Sequence, residues 1–259
     1  MAGRSWHAVI LAAGRGPDDP MAKAYGVAHK CLLPVAGMPM LARVVRALAA
    51  TPLQQPFALS IEETAPYADA LGNDARRVTV VAPLRSAPSS ALAALTANNH
   101  FPVLITTGDH PLLTPEMVNH FLHEADQSGA DVLAGLATEE TIRAAYPDAK
   151  RTYFNLGGTR VSGCNLFAVM SENGLRLVEA WQDIEKNRKK PLKLVAAFGF
   201  WPLLEFVTGR LTPERAFARI SQRLGIVARP VFMPYAQAAI DVDKPADLEL
   251  AERILRERA

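Results

Sequence analysis

The chain is short of cysteine, of net charge and of unbroken apolar runs, and each shortage removes a class of protein. It has 2 cysteines, Cys31 and Cys164, too few and too far apart for a disulfide framework. That usage suits a reducing compartment, so a cytoplasmic location is expected. With 28 Lys and Arg against 26 Asp and Glu, the net charge is only +2. Composition therefore makes no case for nucleic acid as a partner. The most apolar stretch, Leu192 to Val207, is interrupted by Lys193, Gly199, Pro202 and Glu205. A membrane-spanning helix needs about 20 predominantly apolar residues, so no stable membrane insertion is expected. The first residues, Met1 to His7, show no signal-peptide pattern. There is no internal repeat, no low-complexity tract, and no convincing serine–histidine or cysteine–histidine pair for nucleophilic catalysis.

What is present is a chain of 259 residues, 49% hydrophobic, able to bury a substantial core. Short apolar runs alternate with helical patterns, the signature of βαβ units and a mainly parallel sheet. Strands are expected at Ala8–Ala13, Phe57–Ile61, Val78–Val81, Pro102–Thr106 and Asp131–Leu136, with late strands at Val227–Met233 and Ala238–Val242. Helices are expected at Met38–Ala50, Ala65–Leu71 and Ala91–Ala97, the last capped by Ser89 or Ser90. Thr114, with Pro115 after it, opens another helix. Arg151–Leu156, Gly157-Gly158-Thr159 and Val161–Met170 read as a hairpin feeding the sheet. Further helices follow at Glu172–Lys186, Leu192–Val207, Pro213–Leu224 and Pro245–Arg256. The run Lys186 to Lys190 reads as a solvated turn. One domain over 1–259 is expected, with 139–229 as a less regular subregion.

Ligands of an open parallel sheet bind beyond the carboxyl ends of its strands, and three features fall there. The first is a long polar loop that begins at Gly14-Arg15-Gly16 and carries Lys23 and Lys30. Small residues let backbone N–H groups approach an anion while lysines neutralise it. The second is the loop Arg85 to Ser90. The third is Gly108-Asp109, a carboxylate fixed after a buried strand, a hard oxygen ligand that suits Mg²⁺; as a turn residue it would instead accept backbone N–H bonds. Asp241 and Asp243 form a further carboxylate pair, on one face if the segment is extended. Asp243 is also placed to cap the closing helix. Cys31 is read as a core residue, and His29 and His110 as loop residues or hydrogen-bond donors, not bases.

Taken in order, Leu11-Ala-Ala-Gly-Arg-Gly, Lys30-Cys-Leu-Leu-Pro-Val-Ala-Gly-Met-Pro-Met, Gly108-Asp-His-Pro-Leu-Leu and Asp241-Val-Asp-Lys-Pro-Ala-Asp-Leu-Glu-Leu-Ala-Glu resemble the molybdenum-cofactor guanylyltransferase-like nucleotidyltransferases. The resemblance implies a Rossmann-like three-layer α/β/α fold with a small acceptor-side subregion. It also implies transfer of a nucleoside monophosphate from a nucleoside triphosphate, GTP or CTP, to a phosphorylated small-molecule acceptor, releasing pyrophosphate. Leu11, Ala12, Ala13, Gly14, Arg15 and Gly16 would hold the nucleotide, with Ser90 near base and ribose. Lys30 and Arg15 would act at the phosphates, Asp109 and Asp243 would hold Mg²⁺, and Gly163 and Asn165 would line the acceptor site. The family's loop arginine is missing, because Pro17-Asp18-Asp19-Pro20 stands in its place; Arg15 or Lys23 is expected to supply the charge. The alternatives are a sugar-phosphate nucleotidyltransferase, or a catalytically weak nucleotide-binding regulator on the same fold.

Overall fold

The computed structural model describes residues 4–14, 18–98, 100–187 and 205–258. Arg15, Gly16, the basic run from 188 onward and most of the stretch 192–207 lie outside them. The described strands, in chain order, are β1 (His7–Leu11), β2 (Pro34–Val35), β3 (Met38–Pro39), β4 (Phe57–Ser60) and β5 (Val78–Val81). They continue with β6 (Val103–Thr107), β7 (Val132–Thr138), β8 (Phe154–Leu156), β9 (Thr159–Val169) and β10 (Ala228–Phe232). The described helices are α1 (Pro20–Tyr25), α2 (Met40–Ala49), α3 (Tyr67–Leu71), α4 (Ala87–Asn98) and α5 (Pro115–Ser128), then α6 (Glu139–Ala145), α7 (Leu175–Asn187), α8 (Pro213–Leu224) and α9 (Pro245–Glu257).

The main sheet has the order β10-β7-β9-β6-β1-β4-β5, with β8 paired to β9. All neighbours are parallel except β9, which runs antiparallel to β6, β7 and β8. This is a Rossmann-like α/β arrangement with helices on both faces of a mostly parallel sheet. β1 shows why. Ala8 and Ile10 join the core under α2 and α5, while Val9 and Leu11 join the core under α4 and α7. A strand covered on both faces reads as an unbroken apolar run, and β1 does.

The chain leaves β1 for β4 and β5 on one side, then crosses back to β6 on the other. The crevice between the ends of β1 and β6 is therefore the switch point where such sheets bind ligands. β9 brings a second set of residues to the same edge. Its pairing with β7 slips between Ala134 and Leu136, where Asn165 takes φ 51°. A bulge re-aims side chains, and asparagine tolerates the left-handed region better than most residues. The β8–β9 turn uses Gly157 and Gly158 at φ 61° and 87°, the positive values a two-residue hairpin needs.

Four expectations are corrected. The polar loop after Gly14 contains a helix, α1, because buried Asp19 caps it and Pro20 sits in its first turn. Ser86, rather than Ser89 or Ser90, caps α4, its hydroxyl accepting from the Ser89 amide at 3.3 Å. Segment 238–242 is not a strand: Ala236–Ala239 is a 3₁₀ turn, and Val242 N–H then bonds Asp109 C=O at 3.0 Å. It crosses the strand ends instead of joining the sheet. The closing helix is capped without Asp243, since Asp247 accepts the amides of Asp243 and Lys244 at 3.1 and 2.9 Å. That frees the Asp243 carboxylate. α6 and α1 went unforeseen, although Asp19-Pro20 is an ordinary helix-start signal.

Gly108 joins fold to site. A Cβ there would stand 2.8 Å from Ala12 Cβ, 3.2 Å from Cys31 Sγ and 3.3 Å from Leu41 Cδ1. All three neighbours belong to the packed core, so none has room to retreat. Gly108→Ala is expected to destabilise the fold by about 1–3 kcal/mol, read as a lower urea midpoint at unchanged slope.

Candidate active site

The side chains that converge at the switch point come from three distant segments. Lys30 lies in a short 3₁₀ turn, Lys30–Leu32, capped by His29, whose Nδ1 accepts the Cys31 amide at 3.1 Å. Burying Cys31 in the core turns Lys30 outward to the strand ends. Its Nζ donates to Asp109 Oδ2 at 2.7 Å and Asp243 Oδ1 at 2.5 Å. The Lys30 and Asp109 side chains are mostly buried, whereas Asp243 is half exposed. Burial alone would lower the Lys30 ammonium's pKa, but the two carboxylates more than reverse this and hold it well above the ordinary value. Lys30 is thus a fixed cation. Asp109 Oδ1, buried, has no hydrogen-bond partner among the described residues.

Two cavities meet here. The first, about 320 Å³, is lined by the β1 end from Leu11 to Gly14, by Lys30 and Asp109, and by Arg85 and Ser90 across the sheet. Its wall is held by the backbone: Ala12 N–H bonds Ser60 C=O at 2.9 Å, and Gly14 N–H donates to the Glu62 carboxylate at 3.0 Å. Ser90 is buried, and its hydroxyl accepts the Leu84 amide at 2.8 Å, so it shapes the loop before α4. The second cavity, about 660 Å³, is lined by Arg151, Tyr153, Gly163, Asn165 and Asp241. Asp243 lines both. The site residues expected from sequence and lying among those described therefore line these two cavities, with Gly163 and Asn165 together on the second.

Asp241 and Asp243 do not share a role. Asp241 pairs with Arg151 and accepts from Asn165 Nδ2 at 3.0 Å. Burial would raise its carboxyl, but the Arg151 guanidinium outweighs that and holds it below the usual range. Arg151 also reaches Asp247 at 3.5 Å. No sequence signal marked Arg151 as a site residue, since it stood only as the first residue of the expected hairpin arm Arg151–Leu156, whose strand begins at Phe154. Lys23 is not at the site: it pairs with Asp18 at 2.6 Å, and both are exposed. His110 is buried, with its Nε2 3.2 Å from Gln237 C=O, and burial lowers its pKa. It pegs the crossing segment in the neutral form. The Cys31 and Cys164 thiols are free and buried, and burial raises both pKa values; neither is a nucleophile.

Among the described residues no three His, Cys, Asp or Glu side chains form a metal cluster. Mg²⁺ needs less from protein: one or two carboxylates, with substrate phosphates and water completing the shell. The unpartnered Asp109 Oδ1 beside Asp243 fits that demand.

A family model for the MobA-like NTP transferase domain matches residues 8–219. The chain belongs to this family. The matched residues line all of the first cavity except Asp243, and most of the second. A hypothetical transferase from Thermus thermophilus is 29% identical, with a TM-score of 0.74 over 95% of this chain and 99% of its own. A CMP:2-keto-3-deoxy-manno-octonic acid synthetase, in complex with CTP, superposes at TM-score 0.58 with 14% identity, over 98% and 100% of the two chains. The 2-C-methyl-D-erythritol 4-phosphate cytidylyltransferase of Thermus thermophilus superposes at 0.56 with 16% identity, over 97% and 99%. The last two likenesses show the fold. No curated protein sequence matches the chain significantly. No helix among the described residues is long and apolar enough to cross a membrane.

As an NTP transferase, the chain should depend on its fixed cation. Lys30→Met is expected to lower turnover by about 10²–10³-fold, the usual loss when one preorganised charge is removed from developing phosphate charge, measured as steady-state pyrophosphate release. Arg151→Met strands a nearly buried Asp241 and is expected to cost about 3 kcal/mol of stability, measured by denaturant unfolding.

Proposed function

We propose that this NTP transferase, acting as a single cytoplasmic domain, moves a nucleoside monophosphate group from GTP or CTP to a phosphorylated small-molecule acceptor with Mg²⁺, releasing pyrophosphate. The observation that carries the reading is the placing of Lys30, Asp109 and Asp243 where two cavities meet, with Asp243 common to both. Two substrates lodged in adjoining cavities can react only at their shared wall.

In this reading the first cavity holds the triphosphate along the Leu11–Gly14 edge, and the second takes the acceptor against Gly163 and Asn165. An acceptor phosphate oxygen attacks the α-phosphorus. The new P–O bond forms as the bond from the α-phosphorus to the α,β-bridging oxygen breaks, and pyrophosphate leaves with the electron pair. Such a step needs positioning and charge neutralisation more than covalent help. Lys30 supplies a permanent positive charge at that point, and the Asp109–Val242 backbone bond keeps Asp243 from drifting away from it. Asp109 and Asp243 are the residues that would hold Mg²⁺, which when bound neutralises phosphate oxygens.

The test is pyrophosphate release from each of the four triphosphates against a set of phosphorylated acceptors, with Mg²⁺ or with chelator. Turnover is expected only with Mg²⁺ and a matched acceptor. Asp109→Ala is expected to lose turnover by at least about 10³-fold together with metal-dependent nucleotide binding. A variant that binds and turns over normally would overturn the metal assignment.

A further inference from the structure

The first cavity has two chemically distinct ends. Asp109 follows β6 and Arg85 follows β5, and the strands between them run β6, β1, β4, β5. Adjacent strands lie about 4.8 Å apart, so three steps separate these ends by about 14 Å. Both ends line the same cavity. The β6 end carries Lys30 and the carboxylates, which fix it as the phosphate end. A nucleotide laid along the strand ends therefore presents its base to the β5 end.

At the β5 end the lining residues include Leu84, Arg85, Ser86 and Ser90, and no carboxylate. The serine hydroxyls are already engaged: Ser90 Oγ accepts the Leu84 amide at 2.8 Å, and Ser86 Oγ and Ser89 Oγ bond each other at 2.9 Å. Arg85 differs from every other charged residue lining this cavity. Lys30, Asp109 and Asp243 are tied to one another, and Asp19 caps α1. Arg85 forms no ion pair with any described residue, and is exposed where it lines the cavity.

A guanidinium offers a planar fork of N–H donors and no acceptor. Its best match on a base is a pair of adjacent acceptors. Guanine has one in O6 and N7, which arginine meets bidentately, and cytosine has one in O2 and N3. Adenine and uracil alternate donors with acceptors along their edges and offer no such pair. We propose that Arg85 is the base-reading residue of this cavity, selecting guanine or cytosine nucleotides over adenine and uracil nucleotides. The inference rests on the nucleotidyl-transfer reading above and adds a basis for base choice.

The test is titration calorimetry of GTP, CTP, ATP and UTP with Mg²⁺ into the full-length wild type, Arg85→Ala and Arg85→Lys. The wild type is expected to bind GTP or CTP at least tenfold more tightly than ATP and UTP. Arg85→Ala should level the four affinities, and Arg85→Lys should restore little, because an ammonium cannot make the forked contact. 7-Deaza-GTP, which lacks the N7 acceptor, separates the two bases. Weakened binding to the wild type but not to Arg85→Ala assigns guanine; tight CTP binding with weak GTP binding assigns cytosine. Wild-type affinity for ATP or UTP equal to that for GTP and CTP overturns the proposal, as does a base preference that survives in Arg85→Ala. Binding of no triphosphate at all overturns the transferase reading itself, and so is distinguishable from failure at Arg85.

Discussion

The Lys30 ammonium, held between the Asp109 and Asp243 carboxylates, is the contact on which the rest of the site depends. It joins segments 79 and 213 residues apart in sequence. Two carboxylates this close would repel each other, and at an effective dielectric near 20 two unit charges about 4 Å apart interact by about 4 kcal/mol. One cation between them turns that repulsion into two attractions. Several local features serve this arrangement. Gly108 lets the Asp109 turn lie against Ala12 and Cys31, His29 fixes the Cys31 amide, and Asp247 takes the helix-capping task that would have occupied Asp243.

The glycine loop is accordingly a different object from an open anion cradle. Among its described members, Ala12 N–H is engaged by Ser60 and Gly14 N–H by Glu62, with His29 Nε2 3.2 Å behind the same carboxylate. Those bonds fix Ala12 and Gly14 as part of the wall of the first cavity. The stretch from Asp18 onward, where the family keeps an arginine, is committed to structure: Asp19 is buried as the cap of α1, and Asp18 holds Lys23. Among the described residues, Lys30 is the cation left at that end of the first cavity.

Much of this was readable in the sequence because the signals were local and redundant. β1 is apolar on both faces, so its run is unbroken. Pro115 and Pro245 begin their helices where a missing N–H costs little, and Gly157-Gly158 marks a tight hairpin. Lys30, Asp109 and Asp243 could be singled out because each stands within a short motif. What could not be read were features fixed by tertiary contact. The Ala238–Val242 run alternates like a strand, yet Asp109 captures its amide and holds it across the sheet edge. Arg151 has no motif, and Glu62 gains its role from a loop 48 residues away.

The commitments within the two cavities also explain why each can accept an anion although carboxylates line both. In the second cavity Asp241 and Asp247 face Arg151, and in the first Asp109 and Asp243 face Lys30. Each cation thus offsets part of that acid charge, at the place where, in the proposed reaction, two phosphate-bearing molecules would have to approach. One lysine against two carboxylates leaves that end with excess negative charge before the several negative charges of a triphosphate are added. In the proposed reaction, binding there would call for an added cation, and Asp109 Oδ1, without a hydrogen-bond partner among the described residues, would be the acceptor open to it. In the proposed reaction the ion pair would hold the two carboxylates together, and the unsatisfied oxygen would be the one offered to a divalent ion brought with the substrate.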